Sequence, residues 1–159
     1  MMRPGLNSQF ENAIRSAVPL VYHPGLVAIT EGKSKIRPSK SWNVLGSANI
    51  DADCCDTDPN GSRWDYVVGY SRDGKAIAFF VEVHSAGSHN VAEMEKKIDW
   101  LREFLKRPTS VALCRLPCEY HWVASGRFNI PKHLPQYRRL QTLKRKMNLE
   151  GPHKELTLR

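Results

Sequence analysis

Hydrophobic and polar positions alternate most regularly between residues 64 and 84. There "WDYVVGY" and "AIAFFVEVH" flank "SRDGK", and Asp-Gly is a strong two-residue hairpin turn. With Asp73-Gly74 as the turn, Arg72 pairs with Lys75, and the register continues outward until Glu82 lies opposite Asp65. Side chains alternate along a strand, so Glu82 and His84 share a face. The other face is apolar, with Trp64, Tyr66 and Val68 set against Val83, Val81 and Phe79. The pattern predicts a hairpin with one core face. Its second face carries Asp65, Glu82 and His84 together, far from the turn, with directly opposed Cβ atoms about 5 Å apart.

Helical spacing appears in three other stretches. In "NSQFENAIRSAV", Ser8 reads as a cap with Glu11 completing a capping box, and Phe10, Ile14 and Ala17 or Val18 fall on one side. In "SHNVAEMEKKIDWLREFLKRP", Asn90 caps, Glu93 fills the capping-box position and Pro108 follows the end. Met94, Ile98, Leu101 and Leu105 make its apolar stripe; Lys97 lies on the flank of that stripe and Lys96 points further away. In "QYRRLQTLKRKMN", Tyr137, Leu140, Leu143 or Lys144, and Met147 repeat at helical spacing. Short strands are expected at Leu26–Thr30, within "SWNVLGSANI", in "TSVALCRL" and in "EYHWVASG". "EGKSKIRPSK" reads as a basic loop, and "DADCCDTDPNGS" as a solvated, turn-rich one. The latter is no calcium loop, since Ser62 stands where the twelfth-position glutamate would be. The last ten residues read as a tail. The expected organisation is an α/β domain over residues 1–131, with a basic helical extension and tail, 132–159, packed on it.

A chain of 159 residues can bury roughly two thirds of its unfolded surface. Its 41% apolar and 25% charged fractions are those of a globular rather than a disordered protein. No apolar run reaches the ~18 residues of a membrane span, and the N-terminus lacks the zones of a signal peptide, so a cytoplasmic location and no membrane partner are expected. Cys54, Cys55, Cys114 and Cys118 do not make a secreted disulfide framework. Cys114, Cys118 and His121 would supply three zinc ligands, although their spacing matches no standard knuckle and no fourth ligand lies nearby. Free structural thiols are the other reading. The net charge of +8 is uneven: residues 1–131 hold sixteen Lys and Arg against fourteen Asp and Glu, and residues 132–159 hold eight against two. That imbalance favours a polyanionic partner, DNA or RNA. Lys33, Lys35 and Arg37 of the basic loop and Arg138, Arg139, Lys144, Arg145 and Lys146 of the last helix are the candidate phosphate contacts. The same helix would equally be a solvated helix with a packed underside, a membrane surface being the lesser alternative.

Two facing carboxylates repel unless something relieves them. A divalent cation does so, and oxygen ligands suit Mg²⁺ or Mn²⁺. A cation that also binds a phosphate oxygen and a water brings together the elements of phosphodiester hydrolysis. His84 could ligate the ion, orient a water or supply positive charge.

With these residues in place, the hairpin resembles the core of the PD-(D/E)xK nuclease superfamily, the restriction-endonuclease-like fold, whose members share a mixed four-stranded sheet between helices in αβββαβ order. Asp65 stands where the family places an Asp at the start of the second core strand. "EVH", Glu82 to His84, stands where an acid-x-Lys motif ends the third. Glu11 occupies the place of the first-helix glutamate, and a helix over 90–107 follows, so the resemblance covers roughly residues 8–126. It implies metal-dependent cleavage of nucleic acid, with Asp65, Glu82 and His84 as ligands and Glu11 in support. Two departures are visible: Trp64 precedes Asp65 where the motif has proline, and His84 replaces the lysine. Some members carry that lysine on another element, and Lys97 is the nearest candidate here. Other members keep the fold without activity, so a non-catalytic nucleic-acid-binding or assembly module is the alternative. Many such folds dimerise, and the sequence leaves the assembly open between a monomer and a homodimer.

Overall fold

Asp73 and Gly74 take φ angles of 52° and 75°, the paired left-handed geometry of a two-residue hairpin turn. In the computed structural model, which describes residues 4–159, that turn sits at the middle of the chain's architecture. The elements run α1 (Pro4–Ser16), β1 (Ile36–Pro38), β2 (Val44–Asn49), α2 (Ile50–Asp53), β3 (Tyr66–Arg72), β4 (Lys75–Gly87), α3 (Val91–Leu105), α4 (Val111–Cys114), β5 (Cys118–Asn129), α5 (Pro135–Met147), β6 (Leu149–His153) and β7 (Leu156–Leu158). The register between β3 and β4 is the expected one, from Arg72 opposite Lys75 to Tyr66 opposite Val81. Gly74→Ala should cost about 1–2 kcal/mol, because a Cβ is disfavoured in the left-handed region. A lower urea midpoint with an unchanged slope would register it.

The main sheet is mixed, in the order β2-β3-β4-β5-β6. Antiparallel pairing joins β2, β3 and β4, and parallel pairing joins β4, β5 and β6. Parallel neighbours need crossovers, and α3 and α5 supply them. Alternation along the strands then divides the core in two. Ala78, Phe80 and Trp122 face α1, α3 and α5, whose Phe10, Ile14, Met94, Ile98, Leu101, Leu140 and Leu143 belong to the same cluster. Val68, Tyr70, Phe79, Val81 and Val123 face the other way, against Ile29, Ile36, Leu156 and Leu158. Among the described residues no helix is long and apolar enough to cross a membrane.

Both faces of the hairpin are therefore covered, where the sequence pattern predicts one. Glu82 lies on the helix-covered face, beside Phe80, and Trp64 packs there too rather than with Tyr66 and Val68. Other corrections are local. Helix α1 begins at Pro4, a residue favoured at a first helical position, so Ser8 lies inside it and does not cap it. Leu26–Thr30 forms turns, not a strand; Gly25 is left-handed there, and the segment is held instead by the His23–Ser47 bridge and the Ser47 hydroxyl on Ala28 N. "TSVALCRL" is helical, because Pro108 starts a turn and Ser110 Oγ donates to Phe104 O, 2.9 Å away, which leads into α4. The basic loop contains β1, which pairs in parallel with β7. The expected tail is two strands, with Leu149, Leu156 and Leu158 buried.

Candidate acid–lysine site

Strand β4 enters this site as an apolar run, and its alternation places Glu82 under α3. No surface of Glu82 reaches solvent. A buried carboxylate requires partners, and the backbones of the two strands provide them reciprocally. Asp65 N–H donates to Glu82 Oε1 at 3.0 Å, and Val83 N–H donates to Asp65 Oδ2 at 3.0 Å. Lys97 comes from α3, one position before the buried Ile98, so its stem runs along the edge of the apolar stripe. Its Nζ lies 2.8 Å from Glu82 Oε2, which has no other partner, and donates to Arg63 O at 3.0 Å.

The charges explain the arrangement. Burial, and then the charge of Asp65, pushes the Glu82 carboxyl well above its ordinary range, against the opposing pull of Lys97. Burial raises Asp65 as well, again opposed by Lys97. Burial disfavours the charge on Lys97, but Glu82 and Asp65 outweigh it and hold the ammonium above its usual value. Two carboxyls and one ammonium are neutral when the carboxyls share a single proton. With both carboxyls ionised one negative charge is left over, which is why burial and mutual repulsion raise them despite Lys97.

The other expected site residues are placed differently. His84 follows Glu82 on β4, but its Nδ1 lies 2.9 Å from Ser85 O and its Nε2 3.1 Å from Glu93 Oε1, at the start of α3. Both ring nitrogens are thus engaged away from the acid pair. Glu11 makes its ion pair with Arg15, 2.9 Å away on the exposed side of α1. Toward the end of β4, a groove of about 410 Å³ is lined by Glu31, Lys35, Val83, His84, Ser85 and Ser125, and by neither acid. Lys35 Nζ donates to Ala124 O at its wall, while Arg37 pairs with Glu155 and Lys33 is exposed. On α5, Arg139 forks onto Glu95 and Lys146 meets Asp99, both on α3, with Arg138 lining the same α3–α5 groove. Lys144 and Arg145 stand on α5 without a described ion pair.

No family model, no curated protein and no solved structure matches the chain. The site must be read from its own geometry.

The acidic loop is tied down, not merely solvated. Asp51 pairs with Arg63, Asp53 accepts from Val21 N–H, and Asp58 accepts from Trp100 Nε1–H at 2.6 Å. Cys114, Cys118 and His121 do not converge. Three positions separate Cys118 from His121 on β5, so they face opposite sides of the sheet. The two thiols donate to Leu105 O and Leu116 O, and burial pushes the Cys118 thiol up to about 11. His121 instead meets His153 and Glu150 of β6. Its alternation with Glu119 in "EYH" was a usable signal, but its partners lie in the segment whose sequence resembles a tail.

Proposed function

We propose that the chain hydrolyses phosphodiester bonds of nucleic acid with a divalent metal held by Asp65 and Glu82, Lys97 standing in for the motif lysine. The observation that carries this reading is the ammonium of Lys97 at 2.8 Å from Glu82 Oε2, beside the carboxylate of Asp65. With the short β1, α2 and α4 set aside, the order α1-β2-β3-β4-α3-β5, antiparallel up to β4 with a parallel β5, supports the αβββαβ order of the PD-(D/E)xK resemblance. The donor set suits Mg²⁺ or Mn²⁺: two hard carboxylates, with Lys97 Nζ the one neighbour described at Glu82 Oε2.

Bound there, such a metal would polarise a phosphate oxygen and make a water acidic. The chain's own groups do the rest. Main-chain N–H groups of Asp65 and Val83 fix the carboxylates in place. Lys97 offsets negative charge and can steady a water or a phosphate oxygen. Lys35 and the polar wall of the groove at the end of β4 offer a seat for the backbone of the nucleic acid. The complete closure of Glu82 favours a second reading, a non-catalytic nucleic-acid-binding module on the same scaffold.

The parent, Asp65→Asn and Glu82→Gln, each checked for folding by circular dichroism, should be incubated with single- and double-stranded DNA and RNA in EDTA, Mg²⁺ or Mn²⁺. Metal-stimulated cleavage by the parent, absent in EDTA and from both variants, is the expected result. Binding without cleavage by the parent would establish the module instead. Cleavage that survives EDTA and Glu82→Gln would refute the mechanism.

A further inference from the structure

We infer that His121, Glu150 and His153 form a binding site for a divalent transition metal of the zinc class, on the face of the sheet opposite Lys97. One ligand atom from each residue lies within 4.8 Å of the others. His121 Nδ1 is 3.0 Å from His153 Nε2 and 3.4 Å from Glu150 Oε2. Metal–ligand bonds of about 2.0–2.2 Å put the donors of a tetrahedral site roughly 3–3.5 Å apart, so small adjustments complete the set.

The fold places these three residues with some care. His121 on β5 lies opposite Glu150 on β6, and Val123 lies opposite His153. In a regular strand, residues 150 and 153 would face opposite sides. A register shift between the two pairs removes that conflict, and it falls at Gly151, whose φ is 114°. A Cβ at Gly151 would collide with Trp122 O, so the bulge is specific to glycine.

A supporting shell is also present. His121 is almost fully buried, and its Nε2 lies 3.0 Å from Glu119 Oε1. A proton on Nε2, donated to Glu119, leaves the Nδ1 lone pair facing His153 and Glu150; this is the carboxylate–histidine–metal pattern. Glu119 is fixed in turn by Arg72, and Phe79 stacks on the His121 ring. His153 frees its own Nε2 by moving that proton to Nδ1, so no net proton need be released. Two imidazoles and one carboxylate select a borderline metal over Mg²⁺. Three protein ligands leave one position, which faces a cavity of about 350 Å³ lined by Arg72, Glu119, His121, Glu150, His153 and Arg159. Water or an anionic oxygen fits there.

The site is independent of the proposed nuclease chemistry, and so is its test. Chelator-stripped full-length protein should be titrated with Zn²⁺ by calorimetry and with Co²⁺ by visible absorption. One equivalent is expected, with the intense cobalt bands of a four-coordinate site and no thiolate charge-transfer band. His153→Ala and Glu150→Gln should each weaken binding at least ~10-fold, and Glu119→Gln by about 10–100-fold. Glu82→Gln and the Cys114→Ser/Cys118→Ser double variant should bind as the parent does, and Mg²⁺ should not compete. Absence of stoichiometric binding by the folded parent would overturn the inference. So would binding unchanged in both His153→Ala and Glu150→Gln, or binding lost in the cysteine variant.

Discussion

Lys97→Met should cost the fold about 3–5 kcal/mol at pH 8, the range for removing one partner of a buried ion pair, and far less at pH 5. Methionine keeps the stem against α3 and removes only the charge and its donors. Two buried carboxyls are then left with no ammonium at 2.8 Å, and the hydrogen bond to Arg63 O is lost. The sign with pH comes from the raised carboxyls. Both Glu82 and Asp65 hold protons more tightly folded than unfolded. Stability therefore falls as pH rises from the unfolded carboxyl range through the raised folded values, and acid restores it. Loss of Lys97 raises them further and widens that window. Lys97 itself is charged in both states between pH 5 and 8, so its own raised value adds no slope there. Adding Glu82→Gln to Lys97→Met should recover much of the loss at pH 8, since a single carboxyl then remains. Glu82→Gln alone should cost less than Lys97→Met, because Asp65 and Lys97 still balance. Urea unfolding of the parent, both single variants and the double at pH 5 and pH 8 measures all of this. A small loss at both pH values, unchanged by Glu82→Gln, would show that the ammonium does not offset buried charge.

The meeting of Asp65 and Glu82 was legible in the sequence because everything that sets it is local or periodic, whereas Lys97 entered through the family resemblance. Asp73-Gly74 determines the register between neighbouring strands. The stripe of Met94, Ile98 and Leu101 then determines which way Lys97 leans. Other features depend on partners far along the chain. Strand β1 has three residues and exists only because Ile36 meets Leu156. Neither segment alternates for long enough to announce a strand, which is why one resembles a loop and the other a tail. The second covered face of the hairpin was hidden for the same reason: its cover comes from Ile29, Ile36, Leu156 and Leu158. His84 keeps the face of Glu82, opposite Ala124 of the helix-covered core, but there Glu93 of α3 takes the imidazole, and the strand becomes irregular just beyond, between His84 and Ala86. Irregularities of this kind are tertiary in origin and have no period to read.

Ending the chain after Asn148 should abolish cooperative folding, although the sequence pattern presents the last ten residues only as a tail packed on the domain. Removing residues 149–159 takes away β6 and β7 together. Leu149, Leu156 and Leu158 are 2%, 4% and 0% exposed, and burying each contributes about 2–5 kcal/mol by the measure of leucine-to-alanine changes in cores. Their combined loss approaches or exceeds the roughly 5–15 kcal/mol that holds an ordinary domain together. Polar groups are orphaned as well. Strand β5 loses its outer hydrogen-bonding partner, and Ser39 loses Leu158 O, to which both its backbone N–H and its hydroxyl donate. Residues 1–148 should therefore show no sharp thermal or urea transition and little near-ultraviolet circular dichroism. Full-length Leu158→Ala separates lost packing from lost chain: it should stay folded with a stability lower by about 2–5 kcal/mol. A truncated chain that keeps a cooperative transition and its near-ultraviolet signal would mean that β7 is an appendage. The second covered face of the hairpin says otherwise, because Val68, Phe79 and Val81 share their cluster with Leu156 and Leu158 and would lose that part of their cover.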